Sequence, residues 1–497
     1  MIATARKGLD SRRSLSNLGA FVGPAMLQKL IPFIALPLIA RDLSFSEFGM
    51  CGILTTIFLL GNSVLGFGQD TVMFHESRGR FISAKTSGIS EPLTILFCGN
   101  LAFAAVCCGT LLLGSILDWH GLVTAVVVEL LAAAVYSVGY MPLATMTRIN
   151  YRPRVFATVV IGFSVTQYGS KVVLLPRLEN PVLGWALSDL AASTLILLSS
   201  AATYSALTVL RRSSRRRLSA AALLGLPLVP SKISQWFQTS SDRSLVSFSL
   251  GTSQAGLYTA ASQFSNAAMG LVVEICRYFM PSLSEFSRDY GEKRWFDPRI
   301  VWIVYIQVAM VSLLCSMMAA LSPIALEIIF PPSYGQVRNV VAAMGLAVLF
   351  AGAGFVAINF MTVAVGVSTR IWLFSALGAA ASVGGNLLVV PHLGLMGAPY
   401  ASAFGYAITV CCVVRHSWGH LLIAGVVRPW LALPIFVSIV IVVVSIVFCH
   451  NDAVLLSLGG TVVPVFLVLI WQGRLRLIEP SGHSLGDKRL LDQEVVR

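Results

Sequence analysis

The sequence predicts an all-α polytopic membrane protein of about fourteen transmembrane helices, arranged as two six-helix lobes and a C-terminal helix pair. Three observations predict it. Of 497 residues, 56% are hydrophobic and only 11% are charged, too few charges to cover a water-facing surface. Fourteen apolar stretches reach the roughly 20 residues that a helix needs to cross ~30 Å of hydrocarbon. The basic residues fall overwhelmingly on one side of those stretches.

In chain order the expected spans are 18–39, 50–68, 92–117, 122–147, 155–176 and 182–209, then 222–250, 255–281, 299–330, 339–366, 370–391, 395–416, 430–449 and 453–473. The splits near 118–121 and 391–395 rest on short polar or Gly/Pro punctuation. The first stretch is too long for a signal peptide and lacks a small-residue cleavage site, so it is expected to be a retained helix. Pro24, Pro32 and Pro37 remove backbone hydrogen bonds there, which a membrane tolerates only where protein or water satisfies the freed groups. That helix is therefore expected to bend and face an interior. Nine cysteines without CxxC spacing read as free thiols used as small apolar residues.

The net charge of +13 could suggest nucleic acid, but its distribution decides otherwise. With the N-terminus inside, 28 Lys and Arg residues lie on or beside the cytoplasmic segments, and only Arg41, Arg177 and Arg338 lie opposite. This asymmetry supports an even number of spans with both termini cytoplasmic, and no nucleic-acid partner is expected. The run RRSSRRR at 211–217 reads as a topology anchor between the lobes, with an anionic-lipid site as the alternative. The resulting divisions are 1–210, 218–416, and 417–497 for the helix pair and tail. A weak repeat supports them: LSFSEFG at 43–49 resembles LGTSQAG at 250–256, each at the outer end of a span. Repeated halves with a midplane site between them are a common transporter plan.

Away from the cytoplasmic edges, only four basic residues lie inside spans, namely Lys29, Lys171, Lys232 and Arg243. Lys29 is central in its helix, where a cation costs roughly 2.5 to 3.5 kcal/mol and calls for a partner or a wet cavity. The repeat places it opposite position 236, one helical turn from Lys232. Two ammonium groups facing one space and a structural ion pair are both open readings. Gln28, Gln235 and Gln238 would add neutral hydrogen-bonding groups, and Arg243 is a further candidate ligand. Asp242 and Arg243 are expected to pair with other helices, and Lys171 to snorkel. Glu129, Asp189, Glu274 and Glu327 could neutralise the lysines or carry protons or cations.

Enzyme motifs are weak. His416 and His420 have i, i+4 spacing without the glutamate of HExxH, and no GxxxxGK[ST] occurs. AGAGF at 351–355 reads as close helix packing. No catalytic residue, metal or cofactor is expected.

The segment NLLVVPHLGLMGAPYASAFGY at 386–406 resembles the NLLLIPxxGxxGAAxA segment of the polysaccharide transporter, Wzx-like branch of the multidrug/oligosaccharidyl-lipid/polysaccharide exporter superfamily, with Pro399 in place of a small residue. ALPLIARDLSFSEFG (35–49), SDRSLVSFSLGTSQAGLYTAA (241–261) and FPPSYGQV (330–337) resemble three further family segments in the expected order. The resemblance implies two six-helix lobes around a central cavity. It also implies a flippase moving polyprenyl-diphosphate-linked oligosaccharide across a bacterial inner membrane by alternating access, for cell-surface polysaccharide synthesis. Cationic cavity residues would receive the diphosphate, with Lys29 and Lys232 as candidates. Lipid-linked oligosaccharide, membrane lipids, a polysaccharide polymerase and chain-length machinery are the expected partners. The rival readings are a multidrug-type cation antiporter, with an acid such as Glu129 or Asp189 as its binding group, and a membrane glycan polymerase or ligase. The absence of a long external loop weighs against the last.

Overall fold

The computed structural model describes residues 23–24, 27–69, 72–73, 90–116, 121–149, 152–204, 215–289, 298–365, 370–416 and 429–478. Several of the basic positions counted above, among them Arg6, Arg78, Arg211, Lys293, Arg428 and Arg497, lie outside these residues, as do His420 and most of the tail.

Fourteen helical segments follow one another among the described residues, and each corresponds to an expected span. Helix α1 covers residues 27–42 and continues through Pro32 and Pro37. Then come α2 (Phe45–Leu65), α3 (Ser90–Ile116), α4 (Gly121–Ile149), α5 (Pro153–Leu174) and α6 (Pro181–Tyr204). The seventh segment is broken into α7 (Arg215–Gly225), a 3-10 turn at Leu226–Leu228, α8 (Val229–Thr239) and α9 (Ser241–Leu250). It is followed by α10 (Thr252–Asp289), α11 (Pro298–Ile329), α12 (Arg338–Asn359) with a π-helical end at Phe360–Val365, α13 (Ile371–Leu393), α14 (Gly397–His416), α15 (Leu433–Val447) and α16 (Asp452–Ile478). Ten segments are long and apolar enough to cross a membrane on composition alone, one of them spanning both α13 and α14. The short α1, the broken seventh segment and the more polar α10 are not among the ten.

Local chemistry explains the sharp boundaries. Ser44 caps α2 in a reciprocal box: its hydroxyl accepts from the Glu47 amide at 3.2 Å, and the Glu47 carboxylate accepts from the Ser44 amide at 2.9 Å. This accounts for the serine and glutamate of LSFSEFG. In the second motif Gly251 ends α9 at φ 92°, a conformation costly for any residue with a Cβ. Pro153 and Pro181 open α5 and α6, where a missing N–H costs little.

In the first lobe α4 packs on α2, α3, α5 and α6, and in the second α12 and α13 pack on α14, with α11 and α10 against α12. The appended α15 and α16 lie on α11, through Ser438 and Ser316 (3.0 Å) among others. The AGAGF segment serves packing, since Gly352 seats the Val311 and Val272 side chains. The largest apolar core joins the lobes, running through Leu36, Phe48 and Leu54, Trp185, Tyr258 and Phe264, and Tyr334 and Val341. A separate core around Phe58, Tyr136, Leu143 and Phe163 belongs to the first lobe alone. The lobes are thus fused near the starts of α2 and α10 and carry separate packing farther along. All nine cysteines are free.

Candidate functional site

The join between the lobes is built on the repeat. At the crossing of α2 and α10, a Cβ on Gly49 would lie 2.0 Å from the Thr252 carbonyl oxygen, and a Cβ on Gly256 would lie 2.0 Å from that of Phe45. One turn on, a Cβ on Gly52 would meet the Thr259 side chain. The contact is made by positions 45 and 252, 49 and 256, and 52 and 259, each two related by 207 residues, the offset that aligns the two motifs. Ser46 and Thr252 hydroxyls hydrogen-bond across the same seam at 2.7 Å. The repeat is therefore a contact as well as a duplication: two equivalent helix starts meet backbone to backbone about a local two-fold relation.

Farther along the bundle a cavity of about 570 Å³ opens between the lobes. Its wall takes Asn62 and Ser63 from α2, Met141 from α4, Lys232, Gln235, Trp236 and Gln238 from α8, Asp242 from α9, Ser265 and Asn266 from α10, Asn359 from α12 and Ser402 from α14. Polar side chains recur on an otherwise apolar frame, a composition suited to an oriented ligand. Lys232 is half-buried in this wall. Gln238 is buried and braced, its amide donating to the Ser375 carbonyl and the Thr409 hydroxyl, both at 2.8 Å, so it fixes α8 against α13 and α14. The Trp236 indole N–H donates across the lobes to the Thr56 carbonyl at 2.9 Å. Asp242 accepts from the Tyr258 hydroxyl at 2.6 Å and from the Arg243 amide at 2.9 Å, so among the described residues it is held by hydrogen bonds, not by an ion pair.

The structure brings Lys232, Gln235 and Gln238 together on this wall, whereas Gln28, Lys29 and Arg243 are not among its lining residues. Lys29 is exposed and lays its aliphatic stem on Gly270 of α10, where a Cβ would come within 2.9 Å of Cε. Gly270 adjoins Met269, a wall residue, so Lys29 stands beside the cavity. Arg243 is buried, with Nε lacking an acceptor.

Lys171 departs from the snorkelling expected of it. It is 1% exposed, ion-paired with Asp189 at 2.8 Å and set 3.8 Å over the Trp185 ring. Its helix ends within one turn, but α6 covers it, and the nearby carboxylate offers more than distant water. Glu129 is fully buried in the same lobe. Neither Glu129 nor Asp189 lines the cavity.

Trp236 and the cavity asparagines were not singled out by sequence reasoning, and Asp242 was expected to serve as an ion-pair partner of another helix, not as part of a cavity wall. The 207-residue offset placed Trp236 opposite Lys29, which was the available signal for it. Nothing in spacing distinguishes Asn62, Asn266 or Asn359 from other span-embedded amides.

Comparison with solved structures finds the same build. The lipid II flippase MurJ in an inward closed conformation matches with a TM-score of 0.62 at 12% identity, covering 92% of this chain and 99% of that one. The multidrug transporter DinF-BH in complex with R6G matches with a TM-score of 0.59 at 15% identity, covering 82% and 96%. A transporter of the MOP superfamily from Pyrococcus furiosus matches with a TM-score of 0.57 at 14% identity, covering 83% and 96%. At such identities the likeness is one of fold. A comparison with curated proteins finds no match. A family model described as polysaccharide biosynthesis protein matches residues 38–326, more than half of the chain and including both halves of the glycine seam. On that match, carried by a bundle with the fold of the superfamily's transporters, the chain belongs to the polysaccharide biosynthesis protein family.

Proposed function

We propose that the protein is a flippase that moves a polyprenyl-diphosphate-linked oligosaccharide across the membrane by alternating access. The observation that carries this reading is the central cavity, walled by both lobes and lying beyond a seam that closes the bundle at one end. Lys232 offers the diphosphate a cation inside the wall, and Lys29 stands beside it as a second. Gln235, Asn62, Asn266 and Ser402 offer neutral partners for sugar hydroxyls, while Gln238 holds the wall in shape and Arg243 backs it from within. No bond is made or broken.

The outward direction is favoured by an inside-negative potential. Two net charges crossing fully gain about 4.6 kcal/mol per 100 mV. With both termini inside, as the distribution of basic residues in the sequence supports, the seam lies at the outer end and the cavity is loaded from inside.

The antiporter reading would require a carboxylate available to a cationic drug. Asp189 is committed to Lys171 and Glu129 is sealed in the first lobe, which weighs against those two groups in that role. The test is reciprocal. Deleting the gene in its native host should accumulate lipid-linked sugar in the inner leaflet without altering drug efflux, whereas cation-driven efflux with normal sugar export would establish the antiporter. Lys232→Ala should abolish flipping and Lys232→Arg should retain part of it. Normal flipping by correctly inserted Lys29→Ala protein would remove Lys29 from the reading.

A further inference from the structure

Between Glu327 and Asp452 the chain contains no acidic residue. The cations of this long stretch must find counter-charge outside it. Arg338 does so, pairing with both Glu327 and Asp452 at its borders. Arg370 and Arg415 pair with no carboxylate among the described residues.

These two arginines share one place in the fold. Arg370 is the N-cap residue of α13, and Arg415 and His416 close the last turn of α14. The two helices pack antiparallel along their length, so three basic groups reach the same end. There they line a groove of about 720 Å³ together with Trp372, Leu373 and Phe374, the Phe374 ring lying 5.2 Å from that of His416. Trp372 and Leu373 are nearly half exposed, and the exposed apolar surface continues through Leu377 on α13 and Phe404 on α14.

Cations without a carboxylate partner among the described residues, joined to an exposed apolar run, fit an amphiphile. A hydrated inorganic anion gains nothing from Leu373 and Leu377, and a neutral lipid leaves both guanidinium groups uncompensated. In the topology expected from the charge distribution of the sequence, this end faces the cytoplasmic leaflet, the one rich in anionic lipid. We propose that this groove is a binding site for an anionic phospholipid. Arg370 and Arg415 hold its phosphate, and its acyl chains run along Leu373 and Leu377. The site is separate from the central cavity, whose wall shares none of these residues.

The test is lipid titration of the full-length, delipidated protein, followed by native mass spectrometry. Phosphatidylglycerol and phosphatidylcholine of identical acyl chains are added in parallel. One phosphatidylglycerol should be retained in preference to phosphatidylcholine. Arg415→Gln should weaken its retention about fivefold, and Arg370→Gln with Arg415→Gln about thirtyfold, in keeping with the attraction of anionic lipid for each basic side chain. Arg370→Lys with Arg415→Lys should keep most of the affinity, which separates lost charge from lost fold. Equal retention of the two lipids, or unchanged retention by the double Gln variant, overturns the proposal. Displacement of the lipid by inorganic phosphate would make this a simple anion site, and preference for a polyprenyl diphosphate would make it a substrate entrance; either result also overturns it.

Discussion

The buried charges of the first lobe show how single residues are made tolerable inside a membrane. Asp189 accepts from Lys171 and from the Gln167 amide, the latter at 2.8 Å, and the Lys171 ammonium faces the Trp185 ring, a favourable cation–π geometry. Removing only one member of such a pair leaves an uncompensated buried charge, at a cost of about 3–5 kcal/mol. Lys171→Met should therefore lower the denaturant midpoint of the purified protein sharply. Lys171→Met combined with Asp189→Asn should recover most of the loss, because Gln167 still has a carbonyl to bind. A double variant no more stable than the single one would show that the pair is not the stabilising unit. The sequence exposes these residues as charges in apolar spans, yet it does not pair them. Lys171 and Asp189 lie on consecutive helices near their connecting turn, so proximity could be guessed, but the rotation of each helix about its axis is set by tertiary packing.

At the scale of elements, hydropathy reveals where the spans lie because crossing hydrocarbon imposes one length and one composition on each. It reveals less where a helix turns inward. The seventh span is placed at 222–250 from the sequence, and its division at Leu226–Leu228 falls on Pro227, with Pro230 just beyond, where missing N–H groups break the helical ladder; its two parts then pack on different helices. Helix α7 joins the first lobe, with Gln69 donating to the Ala221 carbonyl at 3.4 Å and the Gly225 carbonyl seated where Gly68 has no Cβ. Helix α8 instead packs on α13. The glycine seam was half legible: the 207-residue offset aligned Gly49 with Gly256, but alignment of two copies does not require that the copies touch. Their contact yields a prediction specific to these two helices. Gly256→Ala would place a methyl group against the Phe45 carbonyl with no flexible side chain to yield, and overpacking of this kind costs about 1–3 kcal/mol. Spin labels on the starts of α2 and α10 should therefore report a wider separation in Gly256→Ala and in Gly49→Ala than in the parent. Gly460→Ala, where a Cβ meets nothing within 4 Å, should leave it unchanged. Equal distances in all of them would mean that the seam does not depend on the missing Cβ atoms.

For the whole molecule, the seam and the cavity imply opposite fates in a transport cycle. A head group bound in the cavity can leave through the seam end only if α2 and α10 part, and the closeness of their backbones means that parting must break the whole contact at once. The Ser46–Thr252 hydrogen bond lies in that contact and provides a handle on it. Ser46→Cys with Thr252→Cys places two thiols where two hydroxyl oxygens already stand 2.7 Å apart, close enough for oxidation to join them with little movement. Oxidised protein should load substrate but fail to release it at the far side, so that flipping stops. A reductant should restore flipping, and the two single variants should flip normally under oxidation. A lobe-rocking cycle requires this result, because the disulfide holds the one end that must open and leaves the cavity wall untouched. If the oxidised double variant, shown by gel mobility to be fully cross-linked, flips at the parental rate, the substrate does not pass through this seam and the alternating-access reading fails with it.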